Sequence, residues 1–284
     1  MTASVLSGKD LAARIRADVA ERVTKLAASG TAARLAVVTA TGDESSAWYV
    51  RSIAAAAGKA GIACDVVDLG GGASAPRIRE ALEQLGRNEA VHGVILQTPL
   101  PEGVSADDLA AAIPPAKDVD GASPLSLGRL AAGLPACAPA TAEAVVRLLE
   151  HHGVTLAGRH AVVVGRSTVV GKPAAHLLLA RDATVTVCHS KTADLAAVTR
   201  LGDVLVAAAG RTGLITGGHV KPGAIVIDVG TNPTEDGGLA GDVDAAAAGL
   251  AAALSPVPGG VGPVTTALLL EHTVLAAERA VCAC

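Results

Sequence analysis

A chain of 284 residues with 27 acidic and 23 basic side chains carries a formal net charge of −4 and is 50% hydrophobic, long enough for two ordinary domains or one large one. An aromatic content of 1%, with no phenylalanine, and near-balanced charge remove the stacking platforms and basic excess that nucleic-acid binding relies on. The mean hydropathy of +0.46 comes largely from alanine, and Gly, Pro or charged residues break the apolar runs before about 18 accumulate, so no membrane span is expected.

Residues 1–23 carry charges where a signal peptide needs its apolar centre, which leads to the expectation of a cytoplasmic protein. The five cysteines, Cys64, Cys137, Cys188, Cys282 and Cys284, are an odd number without metal-type spacing apart from the terminal Cys-Ala-Cys. Neither a metal site nor a disulfide scaffold is expected, and the cysteines read as small buried hydrophobes.

In chain order, Ser7 to Asp10 has the form of a capping box, and Leu11, Ile15, Val19, Val23 and Leu26 follow at helical spacing until Gly30. Strands are expected at 34–40, 64–69 and 91–97, with helices near 45–60, 76–85 and 106–112 between and after them. After the proline-containing 134–140 stretch a second set begins: helix 141–152, strand 160–165, helix 170–180, then strands at 183–188, 203–210 and 224–230 and a last helix from about 263 to 280. Apolar strands separated by helices indicate parallel sheets covered on both faces. The chain is therefore expected to be α/β with two domains joined near 140.

Residues 162–173, VVVGRSTVVGKP, form the strongest local signal. A buried strand runs into Gly165 and a helix opens by Gly171, the arrangement in which helix-terminal N–H groups meet a phosphate. Arg166 and Ser167 stand where the usual fingerprint has a further glycine, and alone the segment reads equally as a glycine turn. At the end of the next strand, where an NAD-selective fold carries an acid for the ribose 2′-hydroxyl, the chain has Cys188, His189, Ser190 and Lys191. A hydroxyl and cations, with Arg166, suit a 2′-phosphate, which favours NADP. A solvated loop is the plainer reading of Ser190 and Lys191.

Six ordered segments, at 46–50 (SAWYV), 95–101 (ILQTPLP), 117–121 (KDVDG), 163–173, 223–232 (GAIVIDVGTN) and 256–265 (PVPGGVGPVT), resemble the methylenetetrahydrofolate dehydrogenase/cyclohydrolase family over nearly the whole chain. The resemblance implies a folate-binding catalytic domain at 1–140 together with a returning C-terminal helix at 263–284. It implies a Rossmann-type NADP-binding domain at 141–262, a reaction held between the two, and a homodimer, for which apolar stretches such as 214–230 offer a candidate edge or face. It further implies that Tyr49 stacks on the aminobenzoyl ring, that Asp120 bonds the pterin edge and that Gln97 sits beside the one-carbon unit. Gly259, Gly260, Pro263 and Thr265 would approach folate and nicotinamide, while Gly165, Arg166, Ser167, Gly171, Ser190 and Thr231 would hold the cofactor. Without the resemblance, Tyr49 reads as a core residue, Asp120 as a turn residue and Gln97 as a strand-end cap.

The chain departs from the family pattern at one chemically decisive place. The family has a lysine four residues after the tyrosine, one helical turn on; here that residue is Ile53. Arg51 lies near the opposite helix face and Lys59 about 120° around from Ile53. Hydride transfer from the methylene bridge needs positioning and no protein base. Hydrolysis of the methenyl cation needs an oriented water and proton transfer, so cyclohydrolase activity is expected to be weak or absent. Residues 122–126, the Cys137–Thr141 segment and Thr231 also differ from the family pattern. A non-catalytic folate- or nucleotide-binding protein and a repurposed one-carbon transfer enzyme are the alternatives these residues leave open.

Overall fold

The structure, a computed structural model, describes residues 3–234 and 237–282. Cys284, the final two positions of the expected 263–284 segment and the first two positions of the expected first domain lie outside the described residues. In chain order the elements are β1 (Ser4–Val5), α1 (Lys9–Ala28), β2 (Arg34–Thr39), α2 (Glu44–Lys59), β3 (Ala63–Asp68), α3 (Ala75–Arg87), β4 (Gly93–Leu96), α4 (Ala106–Ala110) and α5 (Pro124–Ala131). The second half holds α6 (Ala140–His151), β5 (His160–Val164), α7 (Gly171–Leu179), β6 (Thr184–Cys188), α8 (Leu195–Thr199), β7 (Val204–Ala207), β8 (Ile225–Asp228), β9 (Asn232–Pro233), β10 (Leu239–Ala240), β11 (Ala253–Leu254) and α9 (Val261–Cys282).

These elements form two compact units. One comprises Ala13–Ala138 and the chain from Thr266 onward; the other takes the chain up to Ala12 and Pro139–Thr265. Residues 3–12, read from sequence as part of the first domain, thus lie in the other unit, where β1 pairs in parallel with β11. A two-residue strand is too short to show any periodicity, so its destination had no local signature.

In the Ala13–Ala138 unit the sheet runs β3-β2-β4, all parallel. Alternate residues of β2, Ala36 and Val38, pack with Ile78 and Leu82 of α3 and with Leu109 and Ile113. Strand β3 is an edge, and Val66 on it is 47% exposed, so the expectation of cover on both faces holds for β2 and fails for the edge. The C-terminal helix is fastened to this unit: Arg22 of α1 grips Glu278 of α9 with Nε–Oε1 at 2.9 Å and Nη2–Oε2 at 2.6 Å. That guanidinium holds the Glu278 carboxyl below the usual carboxylate range. Helix α5, not anticipated above, starts with Ser123 as N-cap and Pro124 in its first turn, a start signal legible in the sequence.

The other unit is a six-stranded, all-parallel sheet in the order β6-β5-β7-β8-β11-β1. From β5 the chain goes to β6 on one side and returns to β7 on the other, which makes the gap between β5 and β7 a topological switch point, the place where open α/β sheets bind ligands beyond their strand ends. Val162, Val164, Leu205, Ala207 and Val226 of these strands pack with Ile215, Val220, Ala247 and Ala251. The 214–230 stretch, a candidate edge or face by sequence, contains β8, which has a strand on each side; among the described residues the sheet ends at β1 and β6. Of the cysteines, Cys188 is buried, Cys64 and Cys137 are half-buried and Cys282 is exposed, so burial does not describe the set. Among the described residues no helix is long and apolar enough to cross a membrane.

Candidate functional site

Helix α2 carries Tyr49. Its N-cap Asp43 accepts the Ser46 N–H at 2.8 Å, and its inward face presents Ser46, Val50, Ile53 and Ala57. Tyr49 is half-buried beside that face. Its hydroxyl hydrogen-bonds Thr266, and burial together with the Asp120 carboxylate pushes its pKa up to about 12. Thr266 was missed by sequence reading, which named its neighbour; Thr265 is buried and donates its hydroxyl to Val261 O at 3.3 Å, one turn back on α9.

One turn after Tyr49, Ile53 is fully buried, while Arg51 and Lys59 are exposed. The residue that the sequence reading aligned with the family lysine is thus an apolar side chain packed into the unit. Gln97 follows β4. Its N–H donates to Val38 O at 2.9 Å, and its Nε2 donates to Thr98 O at 2.6 Å. The same Thr98 carbonyl accepts the Ser46 hydroxyl at 3.2 Å, so the first turn of α2 and the end of β4 share one anchor.

Asp120 lies in a turn closed by a buried carboxylate two residues before it. Asp118 is 1% exposed and accepts three hydrogen bonds, from Ala122 N–H at 3.1 Å, Ser123 N–H at 3.0 Å and the Ser126 hydroxyl at 2.6 Å. Ser123 Oγ donates to Ser126 Oγ at 3.1 Å. Gly121 takes φ +62, a left-handed turn natural to glycine. From the other side, His272 Nδ1 of α9 lies 2.7 Å from Val119 O. Ser123 and Ser126, in the 122–126 stretch read above as departing from the family pattern, thus form a network with the Asp118 carboxylate in the turn that carries Asp120.

In the second unit, Gly165 ends β5 at the switch point with φ +133, and a Cβ there would drive into the Ala208 carbonyl at the end of β7; a Cβ on Gly171 would drive into the Gly165 carbonyl. Only glycine fits either position, and the backbone stays bare where a phosphate would approach. Ser167 Oγ accepts from Val170 N–H at 3.1 Å and Gly171 N–H at 3.4 Å, so it serves the start of α7 as well as facing the turn. Gly165 N–H donates to Cys188 O at 2.9 Å, which sets Arg166 and the β6 turn at neighbouring strand ends. That turn is closed by His189 N–H donating to Thr192 Oγ1 at 2.9 Å; Ser190 and Lys191 at its tip are exposed, and so is Arg166 after β5. Cations and a hydroxyl at adjoining strand ends, next to a bare glycine turn, fit a dinucleotide with a 2′-phosphate. Thr231 is exposed beyond β8. Gly259 has φ +107, and its carbonyl accepts the Gly8 N–H at 2.9 Å, while Gly260 N–H donates to Pro256 O at 2.8 Å. Pro263 is half-buried in the first turn of α9.

The family models for the catalytic domain and the NAD(P)-binding domain of tetrahydrofolate dehydrogenase/cyclohydrolase match residues 6–120 and 139–281. The chain belongs to the tetrahydrofolate dehydrogenase/cyclohydrolase family. It is 65% identical over 275 residues to the bifunctional protein FolD 1 of Saccharopolyspora erythraea, covering 96% of this chain and 94% of that one. The solved methylenetetrahydrofolate dehydrogenase/cyclohydrolase of Campylobacter jejuni superposes with a TM-score of 0.94 at 38% identity, covering 97% of this chain and 99% of that chain. The Trypanosoma brucei enzyme, solved with NADP and an inhibitor, gives 0.94 at 36% identity, with 99% of each chain covered. Membership of this family makes the glycine turn at 165–171 part of an NAD(P)-binding domain and Tyr49, Gln97 and Asp120 part of, or at the edge of, the matched catalytic domain.

Proposed function

We propose that the protein oxidises 5,10-methylenetetrahydrofolate to 5,10-methenyltetrahydrofolate with NADP, and that it hydrolyses the product weakly or not at all. The folate is taken by residues 13–138 with α9 from Thr266, and the dinucleotide by residues 139–265. NADP, when bound, accepts the hydride that leaves the one-carbon bridge. The chain's own part in that step is placement. Neutral Tyr49 offers its ring face to the aminobenzoyl group, Asp120 accepts from the pterin edge, and Gln97 orients the one-carbon end. Arg166 pairs with the charge of the 2′-phosphate and the Ser190 hydroxyl donates a hydrogen bond to it. The methylene carbon loses a hydride with its electron pair, and the folate nitrogen lone pair supplies the compensating electrons, so no protein base is required.

Hydrolysis adds water to the methenyl carbon and releases a proton, a step to which a positioned acid–base group contributes on the order of 10²–10⁴-fold. Buried Ile53, one turn from Tyr49, is the observation that carries the expectation of weak hydrolysis: it offers no proton acceptor. A second reading, full bifunctionality, draws support from the names of the relatives. One assay separates the two. Purified protein is given methylenetetrahydrofolate with NADP or NAD, and reduced nicotinamide and methenyltetrahydrofolate are followed together. Reduced NADP with accumulating methenyl product supports the proposal. Hydrolysis above the buffer rate, as fast as oxidation, assigns both activities, and no cofactor reduction removes the dehydrogenase reading. We place this activity in the cytoplasm and in a homodimer. Strand β6, an open sheet edge with Val187 40% exposed, supports a twofold partner, because an unpaired edge invites pairing.

A further inference from the structure

Beyond β7 and β8, on the far side of the switch point from Arg166 and Ser190, two buried carboxylates organise the loops. Asp242 is fully buried and Asp228 is 4% exposed. Asp242 Oδ2 accepts the N–H groups of Ala209 at 2.6 Å and Gly210 at 2.9 Å; its Oδ1 accepts Arg211 N–H at 2.8 Å and Asn232 Nδ2 at 3.0 Å. Three consecutive backbone N–H groups converge on this one side chain, an anion nest filled from within the chain. Asp228 in turn accepts Gly230 N–H at 2.9 Å, Asp242 N–H at 2.9 Å and Val243 N–H at 3.0 Å. Glycine is required on both sides: a Cβ on Gly230 would strike the Asp242 backbone, and one on Gly241 would strike the Asp228 carboxylate.

The segments so held, 209–211 and 230–232, are those that follow β7 and β8. A dinucleotide whose 2′-phosphate sits on Arg166 and Ser190 at the ends of β5 and β6 crosses the switch point and lays its other half over the ends of β7 and β8. We propose that Asp242 is a positioning residue for the nicotinamide half of the cofactor, acting through the 209–211 turn and the Asn232 side chain. It does not itself touch the ligand. The inference rests on the NADP reading of the 165–171 turn and deepens it.

The test compares two ligands on the whole chain: NADP, which spans both halves, and 2′,5′-ADP, which carries only the adenosine and its 2′-phosphate. Asp242→Asn keeps the shape but turns one acceptor into a donor facing N–H groups, so NADP affinity should fall about tenfold or more, with 2′,5′-ADP affinity unchanged within about twofold. Asn232→Ala removes one of the four donors to Asp242, together with its 3.3 Å bond to Ala240 O, and leaves the three backbone bonds to Asp242 in place. It should weaken NADP a few-fold, again without effect on 2′,5′-ADP, and it carries the test if Asp242→Asn fails to fold. A purely structural role would move both ligands together. Equal weakening of the two in a folded variant, or no change in either, overturns the proposal. Failure of wild-type protein to bind 2′,5′-ADP overturns the underlying NADP reading, and this proposal with it.

Discussion

Replacing Ser126 with alanine tests whether the serine–carboxylate network in the turn that carries Asp120 is what sets that residue. Ser126 is 1% exposed, and its hydroxyl supplies one of the three donors on the Asp118 carboxylate, at 2.6 Å. Removing a hydrogen bond to a charged buried acceptor costs about 1.5–3 kcal/mol, and at roughly 2–4 °C per kcal/mol for a domain of this size class the melting midpoint should fall by about 3–12 °C. Ser123→Ala should cost about 0.5–2 kcal/mol as a lost helix cap, since Ser123 Oγ accepts the Ser126 N–H at 3.2 Å. Because the two hydroxyls share a 3.1 Å bond, the double variant should lose less than the sum, by about 0.5 kcal/mol or more. Thermal and urea melts measure these terms. The same variants should raise KM for the folate substrate, because Asp120 rides on the turn that Asp118 closes, while KM for NADP stays within about twofold, since its residues lie in the other unit. A Ser126→Ala protein within about 0.5 kcal/mol of wild type, or additive losses in the double variant, would show that the carboxylate is satisfied without these serines and would refute the reasoning.

Two further outcomes are expected. Arg166→Ala should raise KM for NADP by about 10–150-fold, the equivalent of one charge-assisted contact worth about 1.5–3 kcal/mol, and leave KM for NAD nearly unchanged in steady-state kinetics; equal effects on both cofactors would sink the 2′-phosphate assignment. Light scattering at micromolar concentration should return about twice the 27.8 kDa chain mass, and a strict monomer would refute the homodimer.

The strands and helices that bear the candidate site were legible from sequence because each has a local cause. The apolar runs at 34–40 and 160–165 read as strands, which the structure bounds at 34–39 and 160–164, and Gly165 and Gly171 read as a turn between strand and helix. Ile53 stood out only through the family resemblance, as the residue one turn from Tyr49 where the family pattern has a lysine. Which groups meet across the fold had no such signal. The bond between Tyr49 and Thr266 had no counterpart in the sequence reading, since the two residues lie far apart in the chain. Ser123 and Ser126 read as losses from a family pattern until burial beside Asp118 made them a network. The N-terminal strand gives no hint that it pairs with β11. Asp242 lies 33 residues from Ala209, whose N–H it accepts, and nothing in either segment names the other. Periodicity, caps and glycine turns act over a few residues and are written locally, whereas a buried carboxylate finds its donors only when the sheet has brought distant loops to the same edge, so those contacts belong to the tertiary structure.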